Sequence, residues 1–243
     1  MKKRSINPIF FLYQWLIFFP VFLVTTILTA LTTIVMCALF NDRVWGFYPA
    51  MIWSRITCYM AFVRVKVSGR EHIRPNQSYI FVCNHQSLFD IFAVYGWLNI
   101  PFKWIMKKEL EKIPFVGPAC KSAGHIFITR GQSKSALQSI EDAKKKLQNG
   151  LSVVIFPEGS RTFDGNVNTF KRGAFQIASD LSLPIIPVSI SGAFVVMPRT
   201  SFLLKPHKIE LVFHEEVSLP HNGQHNTEDI EKIRSIIAND VKH

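Results

Sequence analysis

Residues 78–90 read SYIFVCNHQSLFD. The first half is rich in β-branched and aromatic residues and reads as a short strand. The second half turns polar at once and sets an imidazole at His85 and a carboxylate at Asp90. Similar strand runs occur at VRVKVSG, FKWIM, HIFITR, SVVIFP, PIIPVSIS and KIELVF, with helical stretches between several of them. One helix is expected from Ser133 to about Gln148, with Leu137, Ile140 and Leu147 on one face and Asn149-Gly150 as its stop. Another follows Gly173, and a last one runs from about Glu228 with Ile230, Ile233 and Ile237 spaced for a buried stripe. Strands alternating with helices predict one α/β domain over residues 64–243, with a mostly parallel or mixed sheet flanked by helices.

The N-terminal quarter is different in kind. From Ser5 to Asn41 there is no Asp, Glu, Lys, Arg or His. As a helix this run reaches about 55 Å, against a bilayer core of about 30 Å. It is also longer than the apolar segment of a cleaved signal and ends in no small-residue cleavage site, so a retained membrane-embedded segment is expected. A second apolar stretch, Val44 to about Val63, carries Trp45, Phe47, Tyr48, Trp53 and Tyr59, residue types that settle at headgroup level. Arg55 in its middle makes a lipid-facing full span expensive. Residues 1–63 are therefore expected to form a helical hairpin or anchor hinged at Asn41–Arg43. That hairpin keeps the basic MKKR and the domain on one side, the cytoplasmic face of the inner membrane.

Across all 243 residues, 28 basic residues stand against 17 acidic ones, a net charge of +11. A nucleic-acid binder is the first class such a balance suggests. Behind a lipid-seeking N-terminus, an anionic membrane surface or a phosphorylated substrate is the more economical partner, and no nucleic acid is expected. The four cysteines, Cys37, Cys58, Cys83 and Cys120, show no CxxC pairing and no zinc spacing. They read as small buried hydrophobes in a reducing compartment, with neither a disulfide frame nor a metal site.

In such sheets function collects past the carboxyl ends of strands. A helix opening at Gln86 or Ser87 would turn Asp90 back toward His85, where it can accept from one ring nitrogen and fix the tautomer. No GxSxG elbow supplies a nucleophile, so the substrate would bring the hydroxyl that His85 deprotonates. A histidine at a strand end beside a solvated helix-start aspartate is the other reading of this spacing. In FPEGSRT, Gly159 suits a left-handed turn or close backbone approach, and Arg161 offers a planar fork for phosphate oxygens. Glu158 can hold a substrate hydroxyl or orient that arginine. Arg130, Lys171 and Arg172 can add positive charge to the same rim. A surface turn with a rim salt bridge is the alternative for this stretch.

Taken together and in order, NHQSLFD, GHIFITR, FPEGSRTFDGNVNTFKRGAFQIA and LPIIPVSISG resemble the four motif blocks of the glycerophospholipid acyltransferase family, in particular the 1-acyl-glycerol-3-phosphate acyltransferases. The resemblance covers roughly residues 64–215. It departs in EGSRT, where the family often has EGTRS, which leaves Glu158, Gly159 and Arg161 in register. It implies a glycerol-3-phosphate acyltransferase-like fold. It also implies acyl transfer from a thioester, on coenzyme A or acyl carrier protein, to the 2-hydroxyl of lysophosphatidic acid, giving phosphatidic acid. By motif, His85 is the general base and Asp90 its partner, while Arg130, Glu158, Gly159 and Arg161 bind the glycerol-phosphate head. Lys107 stands near the thioester and lends a backbone N–H to the oxyanion. No metal and no cofactor beyond the acyl thioester is implied. Another lyso-lipid or glycerol 3-phosphate as acceptor, a thioester hydrolase, and a basic membrane-surface protein without turnover are the competing readings.

Overall fold

The computed structural model describes residues 7–129, 151–172, 175–176, 183–217 and 227–242. All seven runs read as strands are strands: β1 (Arg64–Ser68), β2 (Ile80–Cys83), β3 (Phe102–Lys107), β4 (Ile126–Ile128), β5 (Ser152–Ile155), β6 (Ile185–Ser191) and β7 (Lys208–Phe213). They form one sheet in the order β1-β7-β6-β2-β5-β3-β4, parallel throughout except where β7 meets β6. β2 lies at the centre, with Ile80 opposite Val153 of β5 on one side and Ile185 of β6 on the other. β2, β5 and β6 are buried along their whole length, as parallel strands covered on both faces must be. Their carboxyl ends therefore open together at one edge. Gly192, just past β6, has φ +83°, and a Cβ there would stand 2.2 Å from the Lys208 carbonyl, so only glycine lets the chain turn at that point.

Alternation along the strands divides the core. Ile80, Val82, Val153 and Ile155 face one side, against the Ile230, Ile233 and Ile237 stripe of the C-terminal helix Thr227–Asp240. Phe81, Cys83 and Val154 face the other, against Phe89, Phe92, Ala93 and Val94 of the helix Phe89–Trp97. The helix expected over 133–148 and most of the one after Gly173 lie outside the described residues.

The N-terminal helix, here α1, runs Pro8–Leu39, with a mean hydropathy of 2.2 and only 11% of its most apolar window buried; by length and composition it can cross a membrane. The chain turns after Phe40, and α2 (Tyr48–Met60) packs back along α1, with Phe22 stacked on Trp53. Phe18, Phe47, Cys58 and Ala61 belong to the same core cluster as Phe81 and Cys83, so the inner face of this pair is continuous with the α/β core. Gln14, wholly buried in a π-helical turn, donates to the Phe202 carbonyl at 3.0 Å and accepts from Leu204 N–H at 2.8 Å. That bond pair ties the apolar helix to the loop after β6. Arg55 faces the protein rather than lipid. It donates to the Gly96 carbonyl at 2.6 Å and to Asn99 at 2.7 Å, capping the C-terminal end of α3 (Phe89–Trp97).

One buried histidine sets an acid limit on the fold. Trp104 N–H donates to His125 Nδ1 at 3.2 Å, so Nε2 carries the proton that bonds the Tyr95 hydroxyl at 2.7 Å. Burial, and secondarily the Lys103 charge, lowers its pKa from 6.5 to about 3. The unfolded chain takes up this proton near pH 6.5 and the folded chain does not until far lower, so stability is full above 6.5 and falls as pH drops. Between pH 7 and pH 5 the loss is about 2 kcal/mol. Denaturant unfolding of His125→Gln is expected to lack this increment. An equal acid loss in both proteins would show that His125 does not cause it.

Candidate active site

His85 sits two residues beyond β2, and its surroundings hold both backbone and ring. Glu158 Oε1 accepts from the His85 N–H at 2.6 Å, and the His85 carbonyl accepts from Thr162 N–H at 2.9 Å. These two bonds lock the end of β2 to the loop after β5. The imidazole stacks on Phe156, with ring centroids 4.0 Å apart and 13° between planes, and Phe156 in turn stacks on Trp104. Nδ1 lies 2.8 Å from Asp90 Oδ2. The side chain is 14% exposed, and Nε2 has no hydrogen-bond partner among the described residues.

Asp90 is fully buried in the first turn of α3. Its Oδ2 accepts from the Gln86 and Ser87 amides, at 2.6 and 2.7 Å, as well as from His85. A carboxylate at a helix N-terminus gains from the aligned amides. With an acceptor on one side, Nδ1 carries the ring proton and Nε2 is the free base. The nearby hydroxyl is hydrogen-bonded elsewhere, and the nearby thiol is buried. Ser87 Oγ donates to the Met197 carbonyl and accepts from Phe89 N–H. Cys83 is buried, and burial first, then the Asp90 charge, pushes its thiol well above its ordinary pKa.

Glu158 has partners other than a hydroxyl or an arginine. Besides His85, its Oε2 accepts from both the backbone and the side chain of Asn168, at 3.0 and 2.9 Å. Burial raises its pKa, and these bonds oppose the shift. Gly159 has φ +73°, the left-handed turn its sequence position suggests, and closes onto the Phe156 carbonyl at 3.0 Å. The Arg161 guanidinium is half-buried. Burial, and then the Arg199 charge, lowers its pKa, while Asp90 acts the other way. Lys107 ends β3, two strands from β2, and its ammonium pairs with Glu109 at 3.0 Å. Lys171 is exposed beside the same loop, its N–H bonded to the Pro157 carbonyl, and Arg172 follows it. Arg130 lies outside the described residues. Among those residues no group of three His, Cys, Asp or Glu is placed to hold a metal ion.

A protein-family model, Acyltransferase, matches residues 64–191, from β1 to the end of β6. The chain belongs to the acyltransferase family. It is 33% identical over 163 residues to a 1-acyl-sn-glycerol-3-phosphate acyltransferase of Chlamydomonas reinhardtii, covering 66% of this chain and 48% of that one. It is 38% identical over 135 residues to the mouse 1-acyl-sn-glycerol-3-phosphate acyltransferase alpha, covering 55% and 47%. This acyltransferase spans about half the length of the curated relatives it matches. Its fold resembles the crystal structure of the 1-acyl-sn-glycerophosphate acyltransferase PlsC of Thermotoga maritima, with a TM-score of 0.69, 26% identity, and 90% and 95% of the two chains covered.

Several residues at this site carry no sequence signal of their own. Phe156 under the imidazole, Asn168 on Glu158 and Arg199 beside Arg161 come from apolar or loop stretches whose partners are distant in the chain.

Proposed function

We propose that this acyltransferase is a 1-acylglycerol-3-phosphate O-acyltransferase. It moves an acyl group from a thioester, on coenzyme A or acyl carrier protein, to the 2-hydroxyl of lysophosphatidic acid. The observation that carries this reading is an imidazole fixed by a buried carboxylate, with Nε2 free, the neighbouring hydroxyl hydrogen-bonded elsewhere and the neighbouring thiol buried and held protonated. Such a pair needs a substrate hydroxyl. Nε2 takes its proton as the oxygen attacks the thioester carbonyl, and backbone N–H groups hold the tetrahedral oxyanion. The C–S bond then breaks, and the leaving thiolate recovers the proton from the imidazolium. Glu158 braces the His85 backbone, and Arg161 binds the phosphate.

The test uses detergent-purified protein, 1-oleoyl-lysophosphatidate and either oleoyl-CoA or oleoyl-acyl carrier protein, with phosphatidic acid read by mass. No product with either donor would sink the reading. Cys83→Ser is expected to keep at least about half of the wild-type rate, since direct transfer forms no acyl-cysteine. Near-total loss in a folded Cys83→Ser protein would replace direct transfer with a covalent route.

The same reading places residues 1–63 in the inner membrane as a hairpin, with the catalytic domain, 64–243, on its cytoplasmic side. The support is the row of exposed apolar side chains along α1, including Leu16, Leu23, Leu28 and Leu31. The acyl chains of both the acceptor and the product partition into the bilayer, so a site beside the leaflet meets its substrate there. A lysine at the centre of a lipid-buried helix costs about 2.5–3.5 kcal/mol. Leu23→Lys with Leu31→Lys, at positions 59% and 44% exposed, is therefore expected to abolish flotation with phospholipid vesicles while leaving thermal unfolding in detergent unchanged. Undiminished flotation would remove α1 from the bilayer.

A further inference from the structure

Arg199 stands close enough to Arg161 at this site for its charge to act on that guanidinium, and neither is salt-bridged among the described residues. Arg199 lies on the loop after β6, pinned to the site by the Ser87 Oγ bond to the Met197 carbonyl and by bridge pairing of Ser87 with Pro198. Its Nη1 donates to the Arg161 carbonyl at 3.1 Å, and its guanidinium lies 4.2 Å from the centre of the Phe163 ring, a ring left 67% exposed. Stacking and one hydrogen bond hold the plane of the fork and leave its other N–H groups to solvent.

The acids of the surrounding loops hydrogen-bond to other groups, although the Asp90 charge still acts on Arg161. Asp90 is taken by His85 and two amides, and Glu158 by His85 and Asn168. Asp164 accepts from Thr162 and from the backbone and side chain of Asn166. Neither Arg161 nor Arg199 forms an ion pair among the described residues. Two like charges held together in this way repel each other, and a doubly charged anion relieves that repulsion better than a singly charged one.

We propose that Arg199 is a substrate-binding residue and that, with Arg161, it selects a terminal phosphomonoester, carried as a dianion, over the monoanionic phosphodiester of a lysolipid bearing a further headgroup. The inference rests on the acyltransferase reading and adds the residue that reads the acceptor's charge. The two arginines reach the phosphate from two loops, one after β5 and one after β6, so the acceptor's head is held where the ends of those strands meet beside His85.

The test measures binding and turnover separately. Equilibrium binding of 1-oleoyl-lysophosphatidate and of 1-oleoyl-lysophosphatidylcholine is compared in detergent-purified wild type, Arg199→Gln, Arg199→Lys and Lys205→Gln. The last is a cation of the same loop removed as a charge control. Arg199→Gln is expected to weaken lysophosphatidate binding about ten- to a hundredfold. Lysophosphatidylcholine binding should move by less than about threefold. Arg199→Lys recovers part of the loss, because a point charge replaces a fork, and Lys205→Gln leaves both affinities unchanged. In turnover the loss appears in KM for the acceptor and spares kcat. Equal losses for both lipids, or a fall in kcat with KM unchanged, would reduce Arg199 to a brace of the Arg161 loop and overturn the proposal. So would a wild type that shows no preference for the phosphomonoester. Selective binding with no acyl transfer from either donor would leave the clamp standing and sink the acyltransferase reading instead.

Discussion

His85→Ala is expected to lower kcat for phosphatidic acid formation by about 10³-fold, within the range that one positioned general base supplies. The variant is expected to stay folded. It gives up one hydrogen bond to Asp90 and the stack on Phe156, but the two amide bonds on Asp90 Oδ2 remain, as do the backbone ties to Glu158 and Thr162. Those losses amount to about 1–2 kcal/mol, which in a chain of this size lowers Tm by a few degrees. The acceptor's KM is expected to change little, because the imidazole acts on the hydroxyl and not on the phosphate. Quantifying phosphatidic acid from matched amounts of wild type and His85→Ala, alongside thermal unfolding of each, decides the matter. A variant within threefold of the wild-type kcat would make the imidazole a strand-end packing group stacked on Phe156.

The central strands were legible because buried parallel strands are short apolar runs, and β1 and β7 because apolar and charged residues alternate along them. The last helix was legible from the spacing of Ile230, Ile233 and Ile237, all of which are buried. Lateral order was not, because neighbours in a sheet are set by crossovers. Nothing in KIELVF announces that β7 runs against β6 and alongside β1. The His85–Asp90 contact could be anticipated because both residues lie within one turn of the same element. The hydrogen bonds that Glu158 makes within the fold were not visible in its sequence position. The His85 amide and Asn168 are brought to it only by the approach of two loops. Arg55 and Gln14 show the same limit. A polar residue in an apolar run warns that something must satisfy it, but the Gly96 carbonyl and the Phe202–Leu204 backbone become visible only in the folded chain. Arg199 lacks even that warning, since an arginine in a surface loop is ordinary.

Asp90→Asn is expected to cost both turnover and stability, and the two losses have separate origins. In the folded chain Oδ2 accepts three N–H groups, while Oδ1 is buried without a hydrogen-bond partner among the described residues. An asparagine that keeps its oxygen toward the Gln86 and Ser87 amides must put its NH2 where Oδ1 lies, adding an unpaired buried donor. Turning it over sets NH2 against two N–H groups and the imidazole. Either placement costs about 1–3 kcal/mol. The chemical loss is larger. A neutral amide does not balance the imidazolium that forms as Nε2 takes the proton, and it frees the ring to adopt the wrong tautomer. In serine-hydrolase triads the equivalent exchange lowers kcat by about 10⁴. A decrease of about 10³ to 10⁴ is expected here, with the lysophosphatidate affinity retained because the proposed phosphate contacts lie on the loops after β5 and β6. Denaturant unfolding and single-turnover acyl transfer on the same preparation separate the two effects. A destabilised Asp90→Asn protein that turns over at the wild-type rate would confine the carboxylate to capping the first turn of α3. Loss of turnover with that stability cost, and with binding intact, requires the charge itself at the moment the proton moves.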